Sequence, residues 1–176
     1  VSPSELTFRS VDLETRTENE PGLWVRPDQS SNGFISGQYP AYAVKPGDTF
    51  IAELSCKNGF SGCNVIFRVD YVLPNGSAYN LGVWGEVADN STNVIKVDLT
   101  PLAGQSIQFI LRMQNNGKVN QANGIWFLPS IRNFPATSTA LPPTVTPTVT
   151  RTPVPTATAT PTITPTTAPP YPYPYP

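Results

Sequence analysis

The amino-acid composition changes abruptly at Pro135, and no other feature limits the possible folds of this chain as strongly. Residues 135–176 are mostly Thr, Pro, Val and Ala, with one charged side chain, Arg151, and no glycine. Such a segment has too little apolar surface to form a packed core. We therefore predict two parts: one folding domain over residues 1–134, large enough to bury a core unaided, and an extended β or polyproline II tail over residues 135–176.

The first part, called the head below, has the sequence pattern of an all-β domain. Short runs of β-branched and aromatic residues are separated by Gly, Asn, Pro and Asp, and no stretch keeps a helical period. About eight antiparallel strands at this spacing predict a β-sandwich of either immunoglobulin-like or jelly-roll topology. The predicted strands are residues 5–13, 33–39, 49–56, 64–73, 78–88, 93–99, 106–113 and 124–133.

The last third of the head carries a motif order that bears on this choice. Residues 97–105 read VDLTPLAGQ, a strand follows at residues 107–113, and residues 124–127 read GIWF. This order resembles carbohydrate-binding modules and galactose-binding-like domains, and the resemblance implies a jelly roll. Such modules often have acidic residues in the last strand that help to hold a structural calcium ion. Here residues 128–132 read LPSIR, which argues against calcium, and we expect no cofactor.

The charged residues and histidine content exclude several classes of function. The chain has 11 Lys and Arg, 12 Asp and Glu, and no His. Without His it cannot form a Ser-His-Asp or Cys-His catalytic set or a His-containing zinc site. Its carboxylates are isolated in the sequence rather than paired as in a glycosidase, and its basic residues are scattered singly. We therefore expect neither an enzyme nor a nucleic-acid-binding protein.

The first residue and the cysteines favour a secreted protein. The chain begins with Val1 and has no apolar run of membrane-spanning length, so we expect a processed extracellular or cell-surface product without a membrane span. Cys56 and Cys63 are predicted to form a disulfide that closes a hairpin and stabilises the fold by about 2 to 3 kcal/mol. A pair of free core thiols is the alternative.

The tail has a period of two. Thr occupies every even position from 144 to 166 except for Val154, while the odd positions carry apolar residues, Pro and Arg151. In an extended chain this pattern places hydroxyl groups on one face and apolar groups on the other, and the prolines leave mainly one edge able to donate hydrogen bonds. Such a segment can add to a sheet as an edge strand or lie in an apolar groove. Plain low-complexity Thr/Pro sequence is the alternative.

The tail is long enough to dock on other molecules. At about 3.1 Å per residue it reaches roughly 130 Å, against a radius of gyration of about 14 Å for the head. A tail that docks on the next subunit makes a heterologous contact, which generates a helical filament when it repeats without closure. The plan also resembles that of extracellular fibril subunits with a jelly-roll domain and a long C-terminal tail. We therefore predict a structural subunit whose partners are copies of itself. The expected assembly residues are Val145, Val149, Val154, Ile163, Tyr171, Tyr173 and Tyr175.

Covalent glycans are expected, mainly on the tail, because Thr beside Pro in an extended chain presents an accessible hydroxyl group. Two N-glycosylation sequons, at Asn75 and Asn90, lie beside predicted turns. The candidates for O-glycosylation are Thr144, Thr146, Thr148, Thr150, Thr152, Thr156, Thr158, Thr160, Thr162, Thr164 and Thr166.

Two other functions fit the sequence. The aromatic residues of the head are expected mainly to pack, but Trp84 and Trp24 are candidates for stacking on a sugar ring. A carbohydrate-binding module on a mucin-like stalk, tethering a cell surface to polysaccharide, is therefore the main alternative, and it predicts a monomer. A surface domain on a simple spacer predicts neither assembly nor sugar binding.

Overall fold

A computed structural model describes residues 5–134, and within that range the secondary structure is almost entirely β. A single turn of 3-10 helix, Thr100–Leu102, precedes β8. No helix in this part of the chain is long and apolar enough to cross a membrane. The strands are β1 (Glu5–Asp12), β2 (Thr17–Arg26), β3 (Phe34–Ala43), β4 (Asp48–Cys56), β5 (Asn64–Val72), β6 (Ala78–Val87), β7 (Asn93–Asp98), β8 (Ser106–Asn115) and β9 (Gly124–Asn133).

The strands form two antiparallel sheets. The first has the order β1-β2-β9-β4-β7 and the second has the order β3-β8-β5-β6. The chain crosses from one sheet to the other at every connection except those between β1 and β2 and between β5 and β6. This pairing of β2-β9-β4-β7 with β3-β8-β5-β6 is the strand order of a jelly roll. The predicted all-β jelly-roll sandwich is therefore confirmed for the described residues.

Strand β2 is the element that the sequence pattern does not reveal. Its first half reads Thr-Glu-Asn-Glu-Pro-Gly, which has neither β propensity nor alternation. The strand forms because it lies between two partners, with Leu23 opposite Phe8 of β1 and Trp126 of β9. Tertiary pairing thus overrides a weak local preference, and the sandwich has nine strands in the described range instead of about eight.

The core lies between the sheets and follows the alternation of the strands. In β5 and β8 the residues of one parity are buried, while their neighbours are partly exposed. Trp126 of β9 is almost fully buried, and its ring meets that of Phe67 edge-on with 4.8 Å between the ring centroids. The buried apolar side chains of these two strands are Val65, Phe67, Val69, Ile107, Phe109, Leu111 and Met113.

A second, smaller apolar cluster lies on the outer face of the five-stranded sheet. Val11 and Leu13, at the end of β1 and just after it, are buried against Ile125 and Phe127 of β9. Leu13 also forms an isolated bridge with Lys57. The β1–β2 connection therefore covers part of this face, so that β9 is buried on both sides along residues 125–127.

The predicted disulfide between Cys56 and Cys63 is present, with a Cα–Cα distance of 6.1 Å. The prediction that it closes a hairpin is wrong. Cys56 ends β4 in the five-stranded sheet, whereas Cys63 immediately precedes β5 in the four-stranded sheet. The bridge therefore links the two layers of the sandwich at a crossover connection.

Candidate functional site

An apolar groove of about 680 Å³ opens at one side of the sandwich. Residues of β2, β3 and β9 line it together with buried core residues of β4 and β8. Of the described residues that line it, none is charged. The main lining residues are Leu23, Tyr39, Pro40, Leu128, Pro129 and Ile131, with Phe50 and Phe109 contributed by the core.

The groove exists because β2 pairs with β9 over only a short length. The two strands pair only from Gly22–Val25 of β2, opposite residues 124–127 of β9. Beyond Phe127, β9 continues to Asn133 with β4 as its pairing partner in the described chain. The last six residues of β9 therefore have one side without a strand neighbour in the range 5–134.

Both strands that border the groove are interrupted where they line it. In β3 the register shifts between Gln38 and Ala41, which leaves Tyr39 and Pro40 in a bulge. In β9 the register with β4 shifts over Leu128 and Pro129. Each interruption contains a proline, which cannot donate a backbone hydrogen bond. These bulges direct apolar side chains into the groove at the expense of regular pairing.

Leu128 is strained and exposed at this site. Its φ of 47° lies in the left-handed region, which is unusual for a residue with a branched apolar side chain. Its side chain is 42% exposed, although it is large and apolar. A strained backbone that holds an exposed leucine at the mouth of a groove is typical of a functional position.

The polar groups beside the groove are few and already engaged. The Tyr42 hydroxyl donates a 2.8 Å hydrogen bond to Asp48 Oδ2, and this hydrogen bond raises the pKa of Tyr42. Partial burial raises the pKa of Tyr39, so both phenols are neutral at pH 7. The groove is therefore suited to an uncharged apolar segment.

Trp24 and Trp84 are not brought together into one platform. Trp84 lies on β6 of the four-stranded sheet, half-buried and packed against the core, with its ring over Gly82. Trp24 lies on β2 of the other sheet, on the outer face, where its Nε1 donates a 3.2 Å hydrogen bond to Asn123 Oδ1. Any stacking of a sugar ring would therefore involve each tryptophan separately.

A polar surface that the sequence analysis did not single out covers the outer face of the four-stranded sheet. Gln38 donates to Gln108 across β3 and β8 at 3.1 Å, and Arg68 donates to Asp70 at 2.7 Å. At the edge, the Arg112 guanidinium carbon lies 4.0 Å from the centroid of the Phe34 ring. The sequence pattern that indicates this surface is present in β8, where the polar residues Gln108, Arg112 and Gln114 alternate with buried residues.

The two sequon asparagines are both exposed in turns. The Asn75 side-chain oxygen accepts a 2.9 Å hydrogen bond from the Ser77 amide, and Asn90 has a φ of 63°. The remaining predicted positions lie outside the described residues. These are the assembly residues Val145, Val149, Val154, Ile163, Tyr171, Tyr173 and Tyr175, and the O-glycosylation candidates from Thr144 to Thr166.

Within residues 5–134, no group of three His, Cys, Asp or Glu side chains is arranged to hold a metal ion. The most perturbed carboxyl is that of Glu86, which is buried near Glu14 and Asp89. Loss of hydration and the two neighbouring charges raise the pKa of Glu86 to about 8.

Comparison with known proteins identifies the fold but no family. Neither a protein-family model nor a curated protein matches the chain. Among solved structures, one of the carbohydrate-binding modules from the β-sandwich superfamily aligns with a TM-score of 0.53 at 13% identity, over 74% of this chain and 53% of that one. The CBM22-1 xylan-binding domain of Paenibacillus barcinonensis Xyn10C aligns with a TM-score of 0.47 at 10% identity, over 77% and 85% of the two chains. This chain thus spans about half of the first structure, and at these identities the likeness concerns the fold alone.

Proposed function

We propose that this protein is a structural subunit of an extracellular helical filament, in which the groove of one head receives the Thr/Pro-rich tail of a neighbouring subunit. The observation that carries the proposal is the uncharged groove of about 680 Å³, bordered by the part of β9 that has no strand on one side. In this proposal residues 1–134 form the head and residues 135–176 form the tail.

The groove and the tail have matching chemistry. The groove offers proline, tyrosine and branched aliphatic side chains, and the tail offers valine, isoleucine and three Tyr-Pro pairs with a single charge at Arg151. Burying apolar surface contributes roughly 25 cal/mol per Å², and neither partner loses the hydration of a charged group. Proline also lowers the entropic cost of docking, because it restricts the undocked chain.

Docking on a neighbour is favoured over docking on the same head. The Phe134 amide donates a 2.8 Å hydrogen bond to the Gly47 carbonyl, which holds the end of β9 beside the start of β4. Residues 128–131 border the groove, and the chain continues from there towards Phe134 and away from it. A tail would have to reverse direction to enter its own groove. The groove of another subunit requires no reversal.

The disulfide and the Thr-rich tail support an extracellular setting for this assembly. Disulfides persist in oxidising compartments. Glycans on the even-position threonines of the tail would leave its other, apolar face available for docking.

The proposal is tested by substitution of Leu128 in the full chain. Leu128→Asn removes an exposed apolar side chain from the mouth of the groove, and Asn tolerates the left-handed backbone, so the fold is retained. We expect filaments by electron microscopy for the unmodified chain and a marked loss of filaments for this variant. The control Val94→Asn removes a similarly exposed apolar side chain from β7 and leaves filaments intact. Equal assembly by all three proteins would exclude the groove as the docking site.

Carbohydrate binding is the second candidate function. It is favoured by the outer face of the four-stranded sheet, which carries the hydrogen-bonded pairs Gln38–Gln108 and Arg68–Asp70 and, at its edge, the Phe34 ring beneath Arg112. Polar ladders with an aromatic edge suit sugar hydroxyls and ring faces. This function predicts a monomer that is retarded in gels containing a polysaccharide, and loss of that retardation in Phe34→Ala. Retardation that persists in Phe34→Ala would exclude this face.

A further inference from the structure

The edge strand β6 is the least protected edge of the sandwich. It is ten residues long, contains no Pro or Lys, and pairs with β5 as its strand partner in the described chain. Its only charged residue, Glu86, has a buried side chain. Long apolar edges invite pairing with another chain, and proteins usually block them with prolines, lysines, bulges or short length.

The other three edges carry such devices. β3 contains Pro40 and the bulge beside it, and β7 is only six residues long and contains Lys96. The register of β1 shifts between Ser10 and Asp12. β6 also has a register shift, at Leu81, but the segment Gly82–Val87 that follows it pairs regularly with β5 and contains no proline, lysine or bulge.

Exposed apolar side chains accompany this edge. Val83 is 53% exposed and Val87 is 45% exposed, and both point to the same side of β6. Tyr79 is also exposed, but the register shift at Leu81 places it on the other face of β6, where its ring stacks on that of Tyr71. The two exposed valines on one face of this edge strand gain stability when another strand covers them.

The tail has the sequence of a strand with one complete edge. In an extended chain, the N–H and C=O groups of one residue point to the same edge, and successive residues point to opposite edges. Between residues 144 and 166, every proline is at an odd position: 147, 153, 155, 161 and 165. The even positions therefore keep all their N–H groups on one edge, whereas the opposite edge is interrupted by proline.

We infer that a stretch within residues 144–166 of a neighbouring subunit, equal in length to Gly82–Val87, adds to β6 along that segment through the backbone groups of its even positions. This inference rests on the proposed function and identifies the receiving strand for the Thr-rich segment, which leaves the apolar groove for the Tyr-Pro end. The new outer edge carries the prolines, so it cannot template a further strand. One tail therefore covers the β6 edge of one head, and no further strand can pair with that edge.

The parity of the tail provides a matched test in the full chain. Thr150→Pro and Thr158→Pro remove N–H groups from the edge that pairs, while Ala157→Pro and Ala159→Pro remove them from the edge that does not. We expect the even-position pair of substitutions to raise the critical concentration for filaments at least about tenfold, which corresponds to about 1.4 kcal/mol. The odd-position pair leaves it within about twofold. Thr150→Val with Thr158→Val, which retains the N–H groups and loses the hydroxyls, controls for lost threonine contacts and glycans.

The outcomes of these experiments distinguish the strand addition from the filament proposal on which it rests. If the unmodified chain forms no filaments, both the strand addition and the filament proposal are wrong. If it forms filaments and the even- and odd-position proline variants assemble equally, the strand addition is wrong and docking of the tail in the groove stands. Amide hydrogen exchange supplies a second readout: residues 82–87 are protected in filaments of the unmodified chain, and unchanged exchange on assembly would overturn the assignment to β6.

Discussion

The Asn133 side-chain amide donates a 2.7 Å hydrogen bond to Oδ1 of Asp48, which joins the last residue of β9 to the first residue of β4. Asp48 is almost fully buried, and its other oxygen accepts hydrogen bonds from the Tyr42 hydroxyl and the Lys45 amide, each at 2.8 Å. This cluster holds the last residue of β9 against the first residue of β4.

Removing the amide of Asn133 should destabilise the head. Asn133→Ala leaves one oxygen of a buried carboxylate without its side-chain donor, which costs about 1 to 3 kcal/mol. Urea denaturation followed by tryptophan fluorescence measures this change in the free energy of unfolding. A variant as stable as the unmodified protein would show that the hydrogen bond is not formed in solution.

The same carboxylate should make the head sensitive to acid. The hydrogen bond from Asn133, together with those from Lys45 and Tyr42, holds the pKa of Asp48 below its ordinary value despite burial. A lowered pKa in the folded state stabilises the fold at pH values above the unfolded value, and this stability is lost as the pH falls through the folded value. Asp48→Asn should therefore show a shallower loss of stability below about pH 4. Identical acid profiles would contradict this assignment.

Glu86 should make the head less stable as the pH rises, which is the opposite of the effect of Asp48. Burial and the charges of Glu14 and Asp89 raise the pKa of Glu86 to about 8, so the folded state holds a proton that the unfolded state has released. Stability from this group is complete below pH 4.5 and is lost as the pH rises to about 8. Glu86→Gln removes this slope. Thermal denaturation between pH 5 and pH 9 measures it, and a slope that persists in the variant would assign it to another group.

The disulfide should contribute to stability by joining the two sheets. Reduction opens the loop between Cys56 and Cys63, whose sequence separation is 7, and we expect a loss of about 2 to 3 kcal/mol in the free energy of unfolding. The double substitution by alanine gives the matching comparison without a reductant. Unfolding midpoints that are the same with and without reductant would rule out this contribution.

Gly124 should not accept a side chain. A Cβ atom there would lie 2.7 Å from Phe67 Cζ and would also overlap Met113 Sδ, both of which are core atoms. Overpacking of this kind costs about 1 to 3 kcal/mol. Gly37→Ala is the control, because nothing lies within 4 Å of its added Cβ. Equal stability of the two variants would show that the core yields easily at Gly124.

The sequence predicted the fold class and most strands because burial enforces alternation. Residues 124–133 were predicted with the bounds that β9 has, and residues 64–73 differ from β5 by one residue. Strand β2 was missed, because its pairing with β1 and β9 is set by distant residues and not by its own polar first half. The disulfide was found, but its crossing between sheets depends on topology that spacing alone does not specify.

The candidate site was less predictable than the fold. The groove arises where β2 separates from β9 and where Leu128 adopts a left-handed backbone, and neither event has a local sequence signal. The prolines at 40 and 129 are visible in the sequence, but the fact that both border one groove depends on the packing of the sheets. The period of two in the tail could be identified from the sequence. The surface that we propose receives the tail could be identified only from the order of the strands.

The most direct test of the filament proposal compares the full chain with a version truncated after Phe134, by electron microscopy and sedimentation under identical conditions. Circular dichroism would first establish that the truncated head keeps its β structure. The account predicts regular filaments of the full chain and a monomeric head without the tail. Monomers in both samples, or filaments in both, would contradict the claim that the tail assembles this protein.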